Sequence, residues 1–275
     1  MPDASIPCVN VLGVAVHAVD LSRAVALIES ALHSGRKSYV CATGVHGIME
    51  AQRDAGFRAI LNSSFLNVPD GRPAVWVGWI QHFSEMDQVG GPELMLELCR
   101  LSPARGYSHF FLGGDVGVAE KLCATLRHEF PGIRIAGTYT PPFRPLNPDE
   151  EAGLVNLVAQ SSPDILWVGI STPKQERFMF QYLSRLDVKV MIGVGAAFDF
   201  HSGRIKLAPH WMQQAGLAWF YRLCQDPKRL WRRYLFNGPR FLWAITLQFL
   251  GWRTSVIDGH RPGRQELPGG TPARS

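Results

Sequence analysis

The feature of this sequence that most constrains its fold is an alternation of short apolar runs with longer amphipathic stretches. Helical patterns cover residues 21–35, 116–132 and 173–186. The apolar runs are "SYVCAT" (38–43), "FLNVP" (65–69), "SHFFLGG" (108–114), "IRIAGTY" (133–139), "DILWVGI" (164–170) and "VKVMIGVG" (188–195). Near-continuous apolar strands that alternate with helices are typical of a parallel sheet covered on both faces. The sequence therefore predicts an α/β, Rossmann-like fold, a mostly parallel sheet with helices on both faces.

The pattern changes after residue 203, and this change divides the chain. Residues 1–203 are predicted to form the Rossmann-like core, and residues 204–252, which are helical in pattern, a C-terminal helical appendage. Residues 253–275 are predicted to form a disordered tail, since most of them are Pro, Gly, Arg and polar residues. The most apolar late run, 241–250, has about half of the roughly 20 residues that a membrane-spanning helix needs. We therefore expect no transmembrane helix.

The cysteines and the first thirty residues bear on the cellular compartment. The five cysteines are dispersed, without CxxC or Cys/His ligand spacing, at positions 8, 41, 99, 123 and 224. This favours reduced thiols over a disulfide framework or a zinc site. The first thirty residues lack the basic start, continuous apolar core and small-residue cleavage site of a signal peptide. We expect a cytoplasmic protein without a bound metal.

Ligands of such sheets collect at the carboxyl ends of the strands, so polar residues that directly follow a strand are candidates for a site. The exits are "TGVH" (43–46), "PDGR" (69–72), "GGDVG" (113–117), "STPKQE" (171–176) and "GAAFDFHSG" (195–203). Glycines and backbone N–H groups in "GGDVG" suit a phosphate. Asp199, between two phenylalanines, needs a partner or solvent, and a nucleobase or ribose is one candidate.

Two of these exits have both a structural and a chemical interpretation. Asp70 is either a turn or N-cap aspartate, or a general base that accepts a proton from a bound hydroxyl. In "STPKQE" Thr172 fits an N-cap and Gln175 the capping-box position, which leaves Lys174 and Glu176 unexplained. The Gln175 amide also suits sugar hydroxyls, which favours a ligand-binding role for this segment over a purely structural one. His46 is more simply a helix-start histidine without a ligand role.

The positive charge of the chain is concentrated in one segment. Between Arg222 and Arg240 there are six basic residues and one acidic residue, a local net charge of +5 that equals the formal net charge of the whole chain. Arg229, Arg232 and Arg233 share one helix face. Either this face is simply solvated or, with the tryptophans that follow, it contacts anionic headgroups. Nucleic acid is the rival ligand, but no nucleic-acid-binding signature is present.

Taken together and in order, these segments resemble the WecG/TagA/CpsF family of bacterial glycosyltransferases. The resemblance covers roughly residues 8–240. The segments that match include "VPDG", "GGPELM", "FFLGGDVGVAE", "FPGIRIAGTY", "PDILWVGISTPKQE", "GVGAAFDFHSG" and "GLAWFYRL". The resemblance implies a metal-independent, inverting enzyme that moves a sugar, often N-acetylmannosamine, from a UDP donor to a polyprenyl-diphosphate-linked saccharide. It also implies work as a peripheral protein on the inner face of the cell membrane, in the synthesis of surface polysaccharides.

The same resemblance assigns roles to residues. Asp70 is implied to be the base and Thr43 its neighbour at the sugar site. The implied substrate-binding residues are Gly113, Gly114 and Asp199 around the nucleotide, Thr172, Gln175 and Glu176 around the donor, and Arg222, Arg229, Arg232 and Arg233 for the diphosphate. No cofactor besides the donor substrate is implied. Whether the protein forms a homo-oligomer is left open by the sequence.

Three positions depart from the family pattern, and they leave the donor sugar undetermined. Gln88 stands where many relatives carry an arginine, Val45 where they carry an asparagine, and Ala218 where they carry a glutamate. Such changes also allow an alternative of another class, a membrane-associated nucleotide-sugar-binding protein without catalytic activity. A dinucleotide oxidoreductase is disfavoured by the missing GxGxxG motif.

Overall fold

The computed structural model describes residues 6–257, except for the side chains of His210 and Arg229. The chain begins with an antiparallel hairpin of β1 (Cys8–Val11) and β2 (Val14–His17). Six further strands follow: β3 (Ser38–Thr43), β4 (Leu66–Pro69), β5 (Ser108–Gly113), β6 (Arg134–Tyr139), β7 (Ile165–Gly169) and β8 (Val190–Gly193). They pair in parallel, in the order β4-β3-β8-β7-β5-β6.

Twelve helices lie between and after these strands in the described part of the chain. Those of the core are α1 (Leu21–Ser34), α2 (Val45–Ala51), α3 (Ala55–Asn62), α4 (Arg72–Ile80), α5 (Gly91–Arg105), α6 (Val118–Glu129), α7 (Pro148–Ser161), α8 (Lys174–Tyr182) and α9 (Ala197–His201). Those of the C-terminal region are α10 (His210–Gln214), α11 (Ala218–Gln225) and α12 (Pro227–Phe249). The predicted α/β fold with C-terminal helices is thereby confirmed.

The sheet is covered on both faces, and successive residues of one strand show this directly. Along β7, Ile165 and Trp167 belong to one buried cluster, whereas Leu166 and Val168 belong to the other. Helices α1, α5, α6 and α9 contribute to the first cluster, and α2, α3, α7, α8 and the end of α12 contribute to the second. Because both faces are buried, the strands read as continuous apolar runs rather than as alternating ones.

The hairpin was not among the predicted elements, and the C-terminal residues hold it in place. Gln248 of α12 accepts a hydrogen bond from the Leu12 amide (2.9 Å) and donates one to the Asn10 carbonyl oxygen (2.9 Å). The Asn10 side chain donates to the Ser255 carbonyl oxygen at 2.7 Å. The described part of the predicted tail, 253–257, is thus in contact with the hairpin. The rest of that prediction, 258–275, lies outside the described residues.

The length and hydropathy of the helices in residues 6–257 bear on membrane insertion. None of them combines enough of both to cross a membrane. The longest, α12, has 23 residues but carries basic side chains in its first half and a proline, Pro239, inside it.

Candidate active site

A cleft of about 1740 Å³ lies at the carboxyl ends of the parallel strands. It is lined by residues that follow β3, β4, β5, β7 and β8, and α11 and α12 form its other wall. Eight of the predicted site residues line it: Asp70, Gly114, Thr172, Gln175, Asp199, Arg222, Arg232 and Arg233. Thr43, Gly113 and Glu176 lie beneath its surface and do not line it, and the Arg229 side chain is not described. The predicted exits therefore meet at one edge of the sheet.

Asp70 directly follows β4 and is held against the end of β3. Its amide donates to the Thr43 carbonyl oxygen at 3.2 Å. Gly44 permits this contact, because a Cβ atom there would lie 2.5 Å from the Asp70 carbonyl oxygen. Gly71, not Asp70, is the N-cap of α4, and no side chain caps that helix. The cap interpretation of Asp70 is thus wrong, and its side chain is exposed to the cleft.

The surroundings of the Asp70 carboxylate raise its pKa to about 6. Desolvation is the largest cause, because the side chain lies deep in the cleft among many protein atoms. The negative charge of Glu93 acts in the same direction, while the charges of Arg222 and Arg233 lower the pKa and limit the rise. A carboxylate with a pKa near the working pH is suited to accept a proton during catalysis.

Glu93 is a residue of this site that the sequence did not single out. It lies in the first turn of α5, which approaches the end of β8 so closely that a Cβ atom on Gly91 would lie 2.8 Å from the Val194 carbonyl oxygen. The sequence signal was the glycine pair Gly90–Gly91 ahead of a helix. Two adjacent glycines at a helix start indicate a close backbone approach, which brings the next acidic residue into the cleft.

Two arginines of the C-terminal helices bring positive charge to Asp70. Arg222 of α11 lies over the Phe200 ring, 5.1 Å from its centre. Its buried Nε atom has no hydrogen-bond partner among the described residues. Arg233 of α12 is half-buried and acts electrostatically on Asp70, His46 and Glu176. Arg232, by contrast, is exposed beside Trp231.

The polar residues after β7 form a buried network instead of a helix cap. Helix α8 begins at Lys174 after Pro173, and no side chain caps it, so the predicted Thr172 N-cap is wrong. The Thr172 hydroxyl instead donates to Glu176 Oε1 at 2.8 Å, and Gln175 Nε2 donates to the same oxygen at 3.0 Å. Gln175 Oε1 accepts from the Gly195 amide at 3.0 Å. The network thus joins the ends of β7 and β8 beneath the cleft.

Glu176 is the centre of this network and is almost completely buried, with 1% of its surface exposed. Desolvation raises its pKa, against the hydrogen bonds from Thr172 and Gln175 and the charge of Arg233. Its second oxygen, Oε2, is buried without a hydrogen-bond partner among the described residues. The burial of this oxygen without a donor disfavours the charged form of Glu176.

Replacing Glu176 tests the role of the network in stability. We expect Glu176→Ala to lower the free energy of unfolding by roughly 1–3 kcal/mol, because Thr172 and Gln175 lose their buried acceptor. Glu176→Gln should lose less, since an amide oxygen still accepts both bonds. Urea unfolding followed by tryptophan fluorescence measures both, with the exposed Glu85→Ala as control. Equal losses in the two Glu176 variants would show that the acceptor is unimportant.

His46 connects this network to the C-terminal region. Its Nδ1 atom lies 3.2 Å from the Asn237 side-chain nitrogen of α12, and its ring also hydrogen-bonds the Thr172 backbone. Burial lowers the His46 pKa to about 4, and the charge of Arg233 acts in the same direction. A neutral ring accepts from Asn237 at one nitrogen and donates to Thr172 with the other. Through these two hydrogen bonds His46 connects α12 to the segment that follows β7.

Asp199 has a partner within the protein. Arg204 lies 3.4 Å from its Oδ1 atom and also pairs with Asp115 of the turn after β5. Arg204 therefore supplies a partner for Asp199 within the protein, where the sequence had suggested a nucleobase or ribose.

The glycines of the turn after β5 permit a close approach of β5 and β7. A Cβ atom on Gly113 would lie only 2.5 Å from the Gly169 carbonyl oxygen.

The three positions that depart from the family pattern all line the cleft. They are Val45 at the start of α2, Gln88 before α5 and Ala218 at the start of α11.

Within residues 6–257, no three or more His, Cys, Asp and Glu side chains are grouped so that they could hold a metal ion.

Comparisons with known proteins show the family of this chain. The family model described as "Glycosyl transferase WecG/TagA/CpsF family" matches residues 9–255. A relative from Bacillus subtilis (strain 168) is 30% identical over 197 residues, which are 72% of this chain and 73% of the relative. One from Bacillus spizizenii is 30% identical over 196 residues, 71% of this chain and 74% of the relative. Both relatives are named N-acetylglucosaminyldiphosphoundecaprenol N-acetyl-beta-D-mannosaminyltransferase. The chain belongs to the WecG/TagA/CpsF family of glycosyl transferases.

Proposed function

We propose that this protein transfers a sugar from a UDP donor to a polyprenyl-diphosphate-linked saccharide, with inversion at the anomeric carbon and without a metal ion. The observation that carries the proposal is the Asp70 carboxylate, which directly follows a strand and lies in a cleft to which Arg222 and Arg233 bring positive charge. An N-acetylmannosamine-like sugar is the first candidate donor, because both curated relatives are named for its transfer.

One carboxylate is sufficient for the inverting step. Asp70 accepts the proton of the acceptor hydroxyl while the hydroxyl oxygen attacks the anomeric carbon from the face opposite UDP. The bond from that carbon to the diphosphate oxygen breaks, and UDP leaves with the bonding electrons. Arg222 and Arg233 stabilise the negative charge that develops on the leaving group, which is where preorganised charges act most strongly. The N-terminus of α8, whose first two residues line the cleft, adds the positive end of its dipole.

A single-turnover assay tests the proposal. Radiolabelled UDP-sugars are mixed one at a time with a polyprenyl-diphosphate-linked saccharide, in the presence of EDTA, and the lipid product is extracted. We expect transfer from one UDP-sugar and a product of inverted anomeric configuration by NMR. Binding of a UDP-sugar by thermal shift without any transfer would instead indicate a nucleotide-sugar-binding protein without catalytic activity, which Gln88 and Val45 leave as the alternative.

The pH dependence of the reaction follows from the Asp70 environment. A general base works only when ionised, so kcat/KM should rise as the pH increases through about 6, the pKa of Asp70. Glu93→Gln removes a negative charge that raises this pKa, so the midpoint of the rise should move to lower pH. Initial rates across this pH range measure both proteins. If the midpoint were unchanged in Glu93→Gln, the rise of kcat/KM with pH would not be caused by the ionisation of Asp70.

The C-terminal helices are proposed to rest on an anionic membrane surface. Trp243 (66% exposed) and Trp252 (77% exposed) project from the end of this region, close in sequence to its basic residues. Aromatic and cationic side chains together favour the headgroup region of a bilayer. We expect Trp243→Ser with Trp252→Ser to lower co-sedimentation with anionic vesicles, and the exposed Leu157→Ser of α7 to leave it unchanged. If the wild type, the double tryptophan variant and Leu157→Ser sedimented equally with vesicles, this surface would not be the one that binds the membrane.

A further inference from the structure

Part of the cleft lining is apolar, and the chemistry at Asp70 does not use it. We name this part the apolar groove. Its residues come from the segment 140–147, from α8 and from the middle of α12. Six apolar side chains define it: Phe143, Leu146, Phe178, Leu235, Phe236 and Leu242.

The groove leaves large apolar side chains in contact with solvent. Phe143 is 90% exposed, Leu235 55%, Phe236 49% and Leu242 59%. Soluble domains rarely leave such side chains grouped at one place unless they bind something there. The only apolar surfaces of a UDP-sugar are the two faces of its planar base and the C–H groups of its sugars, which are too small to cover all six side chains of the apolar groove.

The segment that carries Phe143 is held rigid although its tip is exposed. Prolines 141, 142, 145 and 148 restrict its backbone. Arg144 donates two hydrogen bonds of 2.7 Å to the two carboxylate oxygens of Glu150. These bonds lower the Glu150 pKa to about 2, and Glu150 also closes a capping box with Asn147. An exposed phenylalanine on a preorganised segment loses little conformational entropy when a ligand covers it.

The position of the groove selects the kind of ligand. The same cleft also holds Arg222 and Arg233 beside Asp70. A ligand that contacts both these charges and the apolar groove needs a hydroxyl for Asp70, anionic oxygens for the arginines and a hydrocarbon chain. On the basis of the proposed function, we propose that the apolar groove binds the first isoprenoid units of the acceptor's lipid chain. The groove is then a lipid subsite of the enzyme, distinct from the membrane surface proposed above.

Two acceptors that differ only in their chain test this subsite. They are N-acetylglucosaminyl diphosphate esters of farnesol and of methanol, assayed in detergent without vesicles. Phe143→Ser and, in α12, Leu235→Ser should each raise KM for the farnesyl acceptor about tenfold, the usual size of a lost apolar contact in a pocket. KM for the methyl acceptor and for the donor should stay as in the wild type. Leu157→Ser, an exposed apolar position that does not line the cleft, is the matched control.

Several results would overturn the subsite. Unchanged farnesyl KM in both variants, or equal changes for the two acceptors, would show that the groove does not recognise the chain. Weaker vesicle binding by Phe143→Ser at an unchanged farnesyl KM would assign the groove to the membrane surface.

A binding measurement keeps the subsite separate from the proposed function. If the wild type transfers sugar to neither acceptor, the proposed function fails, but quenching of tryptophan fluorescence by farnesyl diphosphate still reports on the groove, because Trp231 lines the cleft. Wild type and Leu157→Ser should then bind this probe about tenfold more tightly than Phe143→Ser does, again the size of a lost apolar contact. Equal affinities would overturn the subsite independently of catalysis.

Discussion

Asp70→Asn is expected to lower kcat by roughly 10²–10⁴-fold, the range over which a positioned general base accelerates a reaction. Asparagine keeps the shape of the side chain but cannot accept the proton of the acceptor hydroxyl. The loss should appear in single-turnover rates, since it concerns the chemical step. Binding of UDP should change little, because the carboxylate faces the acceptor in the proposed step and Arg222 and Arg233 remain in place.

Two measurements make this prediction specific. Calorimetric titration with UDP compares the affinities of wild type and Asp70→Asn, and Asp87→Asn serves as the matched variant. Asp87 is a neighbouring carboxylate that pairs with Arg72 and does not line the cleft. We expect the Asp87 variant to turn over normally. If Asp70→Asn also turned over at a near-normal rate, Asp70 would not be the base.

Arg222→Ala is expected to lower kcat by about 10²–10³-fold, as the loss of one preorganised charge or donor at a developing anion does. The guanidinium is placed over the Phe200 ring, and its Nε atom lacks a partner among the described residues, so it has donors to offer a diphosphate. Arg222→Lys should recover only part of the rate, because an ammonium group lacks the planar fork that binds two phosphate oxygens.

The control for Arg222 is a basic residue of similar charge outside the site. Lys228 at the start of α12 is exposed and does not line the cleft, and Lys228→Ala should keep the wild-type kcat. Rates are compared at a constant ionic strength, since screening alters the effect of distant charges. A loss of rate in Lys228→Ala as large as that in Arg222→Ala would mean that only the overall charge of this region matters.

The sheet was predictable from the sequence because a strand that is buried on both faces must be apolar throughout. All six runs became strands of the parallel sheet, with bounds shifted by at most two residues at either end. The order of the strands was not predictable, because it depends on which helices cross which face. The hairpin 8–17 was missed for a related reason. Its two strands have four residues each, and the contacts that fix it come from Gln248 and Ser255.

The site was predictable to the extent that it depends on strand ends. Asp70, Thr172 and Asp199 follow strands, and their convergence follows from the parallel sheet alone. Their environments were not predictable, since these depend on residues far away in the sequence. Glu93 and Arg233 both alter the Asp70 pKa, and Arg204 is the partner of Asp199. The Thr172 N-cap was wrong because its hydroxyl has a buried acceptor in Glu176, which no local pattern indicates.

The Gln248 contacts have a consequence for the order in which the molecule is completed. Leu12 and Gln248 are 236 positions apart, so the hairpin is synthesised long before the residue that binds it. During synthesis the nascent hairpin therefore has no partner for these backbone groups, and the second face of the sheet stays open where Phe241, Ala244 and Ile245 will pack. Contacts between residues so far apart in the sequence slow folding, and they prolong the time for which aggregation-prone intermediates are exposed. Synthesis of α12, rather than of the strands, therefore sets the earliest moment at which the native contacts of the hairpin can form.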